Sequence, residues 1–298
     1  MIADNLVMKA RNNLSWLAVL VLISITYCLS ASLAAEQKLI LPTAKTQLLS
    51  QDLKRFGDSD EVKELVAGDS TFVALVSEQD TSFTRGVAIL MADSSLSQMQ
   101  TQAYGHLRYS LNAHGWVTIA AGAPEPYHEQ GRINDSNRET YLQSAYQSAE
   151  FISAEGQTQQ KQKLQIRMQA LLNMAGDYPG IIMVVAQGAT AGFLTELYHA
   201  QTLSEPEIFV LVQPYLADYK ANKALPKKIA ELQTPILDIW SDYDNPWAKA
   251  TVASRKRYAR KLLTMHYRQR QLFGDRGWEQ RDARLTKEIV GYIAYLGW

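Results

Sequence analysis

The feature that most narrows the fold is a series of short apolar runs separated by segments of helical periodicity. Gly86 to Ala92 reads GVAILMA and Ile181 to Ala186 reads IIMVVA. Neither run alternates with polar residues, so both suit strands covered on two faces. Trp116 to Ala121, Glu207 to Val212, Pro235 to Trp240 (PILDIW) and Met265 to Phe273 supply further strands. Between the strands, apolar residues recur at helical spacing: Met99, Ala103, Leu107, Leu111 and His114, then Leu164, Met168, Leu171, Leu172 and Ala175, then Phe193, Leu194, Leu197 and Tyr198. Gly115 can end the first of these helices as a left-handed cap. A Lys-rich helix spans Ala221 to Leu232, Asn245 before Pro246 opens another, and Leu285, Ile289, Ile293 and Leu296 mark the last. Ahead of this series, Glu61 to Ala67 and Thr71 to Ser77 flank Gly68-Asp69 as a hairpin. Buried strands joined by crossover helices demand a mostly parallel sheet with helices on both faces. The expected architecture is one α/β domain with an antiparallel hairpin at its N-terminal end.

The remaining composition mainly excludes. Thirty basic and thirty acidic residues balance, so no global field draws nucleic acid or an anionic surface. The single cysteine, Cys28, lies outside the α/β body, which leaves that body without a disulfide framework or a thiolate metal site. No pair of His or carboxylate residues has metal-ligand spacing, HExxH and Gly-rich phosphate motifs are missing, and no cofactor is implied. The helix carrying Lys249, Arg255, Lys256, Arg257, Arg260 and Lys261 reads as a solvated face, with anionic lipid or polysaccharide contact as the minor alternative.

The first residues follow a different logic. Lys9 and Arg11 precede LSWLAVLVLISITYCLSASL, Leu14 to Leu33, and Ser32-Leu33-Ala34 offers small residues before the polar Glu36, Gln37 and Lys38. That is the order of a secretory signal. The domain organisation expected is a signal peptide over 1–34, a polar segment over 35–60 and the α/β domain over 61–298. Export to a periplasmic space follows. The alternative is an uncleaved anchor at residues 14–34, since a span needs about 20 apolar residues, and membrane contact is expected only in that case.

Taken in order, GVAILMAD, LRYSLNAHGWVTIAAGAP, GIIMVVAQGATA, TPILDIWSDYDNPW and YRQRQLFG with the terminal helix resemble the α/β-hydrolase fold. More narrowly, the chain resembles a family of exported α/β-hydrolase-like proteins catalogued as a domain of unknown function, over roughly Glu61 to Trp298. In active α/β-hydrolases the nucleophile elbow reads small-x-Ser-x-small between a strand and a helix. The corresponding stretch here is Ala186-Gln187-Gly188-Ala189-Thr190, so Gly188 stands in the serine's place. Glycine relieves the positive φ that an elbow imposes, at the cost of the hydroxyl. The alternative is that Gly188 is an ordinary strand-to-helix glycine with the nucleophile elsewhere.

The resemblance places a carboxylate after the strand ending at Trp240. Asp242 and Asp244 both qualify, with Asp244 the better relic acid, although Asp244 could equally help cap the helix opening at Pro246. The catalytic histidine should follow Phe273, but GDRGWEQRDAR contains none. His106, His114, His199 and His266 fall on helices or at the wrong end of the sheet. Only His128 lies in a loop leaving the ligand end of a strand, where a surface role competes with a functional one.

The leading expectation is therefore a non-catalytic binding or scaffolding protein. Gln187, Gly188 and Ala189 would form an anion site on a helix N-terminus, and the partner would be a small anionic or acyl ligand or another protein, with no nucleic acid. The alternatives are an esterase-like hydrolase with a displaced set drawn from Ser94, Ser95 or Thr190 with His128, and a membrane-tethered accessory subunit.

Overall fold

In a computed structural model of the chain, the described residues are 45–93, 102–124, 154–273 and 278–298. These residues form one compact unit. Helix α1 (Lys45–Phe56) leads into strands β1 (Val62–Ala67), β2 (Ser70–Ser77) and β3 (Gly86–Ala92). Then come α2 (Gln102–Asn112), β4 (Trp116–Gly122), α3 (Ala154–Ala175), β5 (Ile181–Gln187) and α4 (Gly188–His199). The chain closes with β6 (Ile208–Val212), α5 (Tyr219–Glu231), β7 (Ile236–Trp240), α6 (Pro246–Lys261), β8 (Tyr267–Gln271) and α7 (Trp278–Leu296).

The eight strands make one sheet in the order β1-β2-β4-β3-β5-β6-β7-β8. β1 and β2 form the expected hairpin, β2 pairs antiparallel with β4, and every pairing from β4 to β8 is parallel. All seven residues of β3 are buried. Val87, Ile89 and Met91 join one core cluster with Leu164, Met168 and Leu194, while Ala88 and Leu90 join a second with Leu107, Leu111 and Ile289. The unbroken apolar run thus arises because alternate side chains meet helices on opposite faces. Helix α1 adds Leu53, 2% exposed, to the second cluster, so the polar segment ahead of residue 61 contributes to the core.

Several local expectations need correction. The basic helix is not wholly a solvated face: Arg255 of α6 is fully buried and its Nε lies 2.8 Å from Asp238 Oδ2. A charge can be buried this way only with a partner and further hydrogen bonds. Arg255 also donates to Ala248 O and Thr251 Oγ1, while Tyr267 OH and Gln269 Nε2 donate to the same Asp238 oxygen. This network ties α6 to β7 and β8, and explains the lone acid inside PILDIW. Burial, then the Asp238 charge, push the Tyr267 hydroxyl well above the usual phenol range. Strand β8 is also shorter than expected, with Met265 and His266 preceding it as exposed loop residues. Helix α2 stops at Asn112, which leaves His114 exposed beyond its end; Met99 falls outside the described residues.

Candidate functional site

The β5–α4 junction turns as an elbow. Gln187 ends β5 with extended backbone (φ −116°, ψ 146°), Gly188 takes φ 60°, and α4 starts at once. A side chain on a left-handed residue is strained, so glycine fits the turn. The next residue of α4 presents its N–H at the ligand end of the parallel sheet. In a serine hydrolase the corresponding N–H helps hold the oxyanion.

What faces this elbow is a carboxylate from the neighbouring strand. Asp93 follows directly after β3, is only 6% exposed, and accepts hydrogen bonds at Oδ2 from Ala189 N (3.4 Å) and from Tyr215 OH (3.3 Å). A Cβ built on Gly188 would lie 2.1 Å from Asp93 Oδ2 and 2.8 Å from its Cγ. The carboxylate therefore occupies the space that the first atom of any elbow side chain would need. The anion position expected at Gln187, Gly188 and Ala189 is filled from within the chain.

Two further contacts fix this arrangement. Gly192, one turn into α4, lets the loop after β6 come close: a Cβ there would lie 2.2 Å from Tyr215 O. Tyr215 N donates to Gly188 O at 3.3 Å, which brings the phenol to Asp93. Burial raises the Tyr215 pKa, and the Asp93 charge and hydrogen bond raise it further, so the hydroxyl stays protonated and donates. Thr190 is 2% exposed and its hydroxyl donates to Ala92 O at 3.1 Å, clamping α4 to β3. That bond holds Thr190 in a structural contact rather than presenting a nucleophile. Gln187 is 5% exposed, and its Oε1 has no hydrogen-bond partner among the described residues.

The carboxylates after β7 have separate duties. Asp244 Oδ2 accepts from Ser241 N at 2.6 Å and closes the turn. The helix cap belongs instead to Asn245, whose Oδ1 accepts from Trp247 N at 2.9 Å. Asp242 Oδ2 accepts from Gln271 Nε2 at 2.9 Å, linking the ends of β7 and β8. Among the described histidines, His106 and His114 are exposed away from the elbow, His199 pairs with Glu231 at 2.9 Å, and His266 precedes β8. His128, Ser94 and Ser95 lie outside the described residues. No group of three or more His, Cys, Asp or Glu residues among the described residues is placed to hold a metal ion. No described helix is long and apolar enough to cross a membrane, and residues 14–34 are not among those described.

Sequence reasoning passed over Asp93 and Tyr215. The available signal was the aspartate of GVAILMAD, an acid at the ligand end of a buried central strand.

The fold is similar to that of Est1E from Butyrivibrio proteoclasticus, with a TM-score of 0.53 and 10% identity, covering 78% of this chain and 99% of that one. An alpha-beta serine hydrolase homologue from Coxiella burnetii gives a TM-score of 0.51 and 11% identity, over 77% of this chain and 95% of that one. A putative dienelactone hydrolase from Klebsiella pneumoniae gives 0.52 and 13%, over 78% and 98%. These likenesses establish an α/β-hydrolase fold. No curated protein matches the chain in sequence. A family model, described as a protein of unknown function (DUF3530), matches residues 18–295, and the chain belongs to that family.

Proposed function

We propose that the mature protein is an exported, non-catalytic member of the α/β-hydrolase fold that acts by binding or scaffolding. One observation carries this reading: the Asp93 carboxylate sits where an elbow side chain would project and takes the Ala189 N–H. Acyl transfer needs a nucleophile, a base to activate it and donors free to meet a developing oxyanion. Gly188 supplies no nucleophile, GDRGWEQRDAR supplies no histidine, and a resident carboxylate opposes a second negative charge at Ala189. The same charge argues against a small anion in the elbow. Export rests on the charged start, the apolar run and Ser32-Leu33-Ala34.

A fluorophosphonate probe and a short acyl ester test the reading directly. The purified chain should show neither labelling nor turnover above background. Labelling that disappears on Ser94→Ala, Ser95→Ala or Thr190→Ala would replace this reading with that of a hydrolase using a displaced nucleophile. N-terminal sequencing of exported material should begin near Ala35, and Met1 retained in membranes would overturn cleavage.

A further inference from the structure

The loop between α6 and β8 combines features that a purely structural connection does not need. Leu263 is 83% exposed and Met265 is 73% exposed. Leu263 has φ 53°, directly after the helix end, where Thr264 N donates to Ala259 O and Leu263 N to Arg260 O. That pair of bonds is a Schellman ending, and its left-handed position normally goes to glycine. His266 has φ 57° in the same loop. The chain thus accepts backbone strain at Leu263 while leaving that side chain in water.

The chain leading into and out of this loop is basic. Between Asp244 and Asp275 the sequence holds eight Lys or Arg residues and no acid. Arg255 is buried against Asp238 and Arg270 pairs with Glu288. Lys256, Arg257, Arg260 and Lys261 are exposed and make no ion pair among the described residues. Lys256, Arg260, Leu263 and Arg268 line one open hollow of about 570 Å³, so cations and leucine share a face. Leu262, Leu263 and Met265 line a second hollow beside Glu231, whose charge is already engaged by His199 and Lys227. Cations in the last turn of α6 complement the helix dipole, but the dipole gives no reason for Leu263 and Met265.

We propose that this loop docks the protein onto an anionic lipid bilayer, with Leu263 and Met265 entering the headgroup boundary and Lys256, Arg257, Arg260 and Lys261 binding the lipid charges. Apolar prongs beside a row of helix cations suit an interface where one layer is hydrocarbon and the next is anionic. A soluble polyanion would reward the cations alone. The loop precedes β8 whereas the elbow follows β5, and the two strands run in the same direction, so docking leaves the elbow end of the sheet facing away from the surface.

Cys28 is the only thiol, which makes a local probe straightforward. The full chain carrying Cys28→Ser and Leu263→Cys would be labelled with an environment-sensitive fluorophore, and a second version would carry Met265→Cys. Both probes should brighten and shift to the blue on mixed phosphatidylcholine–phosphatidylglycerol vesicles, and a lipid-borne quencher should dim them. Phosphatidylcholine alone should give little response. With roughly fivefold in affinity expected per surface cation, Lys256→Gln with Arg260→Gln and Lys261→Gln should weaken the response on the order of a hundredfold. Dark probes on bound vesicles, an equal response to phosphatidylcholine alone, or the same shift from heparin without lipid would each overturn the proposal. Because the probes sit at the loop, binding through residues 14–34 cannot produce the expected result.

Discussion

Replacing Gly188 with serine tests the elbow more sharply than any loss of activity could. Two costs add. A side chain in the left-handed region costs about 1–2 kcal/mol. The new Cβ would also lie 2.1 Å from Asp93 Oδ2 and 2.8 Å from Cγ, so the carboxylate must leave. It then loses its bonds to Ala189 N and Tyr215 OH, at 3.4 and 3.3 Å. Hydrogen bonds to a charged group contribute about 1.5–3 kcal/mol each, and the length of these two places their sum near the lower figure, about 2 kcal/mol. Gly188→Ser should therefore destabilise the protein by about 3–4 kcal/mol, well above the strain alone. In an Asp93→Ala background the clash disappears and the same change should cost only about 1–2 kcal/mol. Urea unfolding of the two single variants, the double variant and the parent closes the cycle, with an expected coupling near 2 kcal/mol. Coupling below about 0.5 kcal/mol, the usual limit of additivity, would refute the seating of Asp93 against the elbow. Gly188→Ser should show no esterase activity in either background, since a serine without a base stays protonated.

Other substitutions probe the surrounding framework. Asp238→Ala should cost about 3–5 kcal/mol by chemical denaturation because it strands the buried Arg255, whereas replacing both residues with apolar ones should recover much of that loss. Burial opposes ionisation of Glu196, but hydrogen bonding and charge from Lys228 and Lys161 outweigh it and lower its pKa. Its contribution is therefore complete above the unfolded carboxylate pKa of about 4.3 and is lost as pH falls through the lower folded value; Glu196→Gln should flatten the acid limb of a stability–pH curve measured by thermal melting. Leu263→Gly should stabilise the fold by about 1 kcal/mol by relieving the left-handed strain, while weakening capture by anionic vesicles in a flotation assay.

Periodicity and turn chemistry make the scaffold legible in the sequence. GVAILMA and IIMVVA are legible as central strands because burial on two faces removes polar alternation, and Gly68-Asp69 marks the hairpin because few other residues tolerate that turn. Arg255 was misread for the opposite reason. A charge surrounded by Lys256 and Arg257 looks like part of a wet face, and its acidic partner lies 17 residues away, on a strand. Ion-pair partners brought together by tertiary packing leave no local signature. The cap after β7 lies between these cases: Asn245 ahead of Pro246 is legible as the cap from local chemistry, whereas only backbone geometry shows that its neighbour Asp244 closes the turn.

The elbow combines both cases. A positive φ at Gly188 could be anticipated from a glycine between a strand and a helix, and the structure gives φ 60° there. The reason the position excludes a side chain could not, because Asp93 meets the elbow across 96 positions of sequence, through the parallel pairing of β3 with β5. Strain relief alone would make glycine a convenience, since serine hydrolases tolerate a strained serine at their elbows. The carboxylate adds a second reason: with Asp93 seated, even alanine has no room. The two residues are best understood as one unit, in which glycine at 188 leaves the seat and the Asp93 carboxylate fills it, taking an N–H of the kind that holds the oxyanion in serine hydrolases. On the proposed non-catalytic reading, acyl chemistry at this elbow would need three coordinated changes rather than one: a nucleophile at 188, removal of the acid at 93, and a histidine after Phe273.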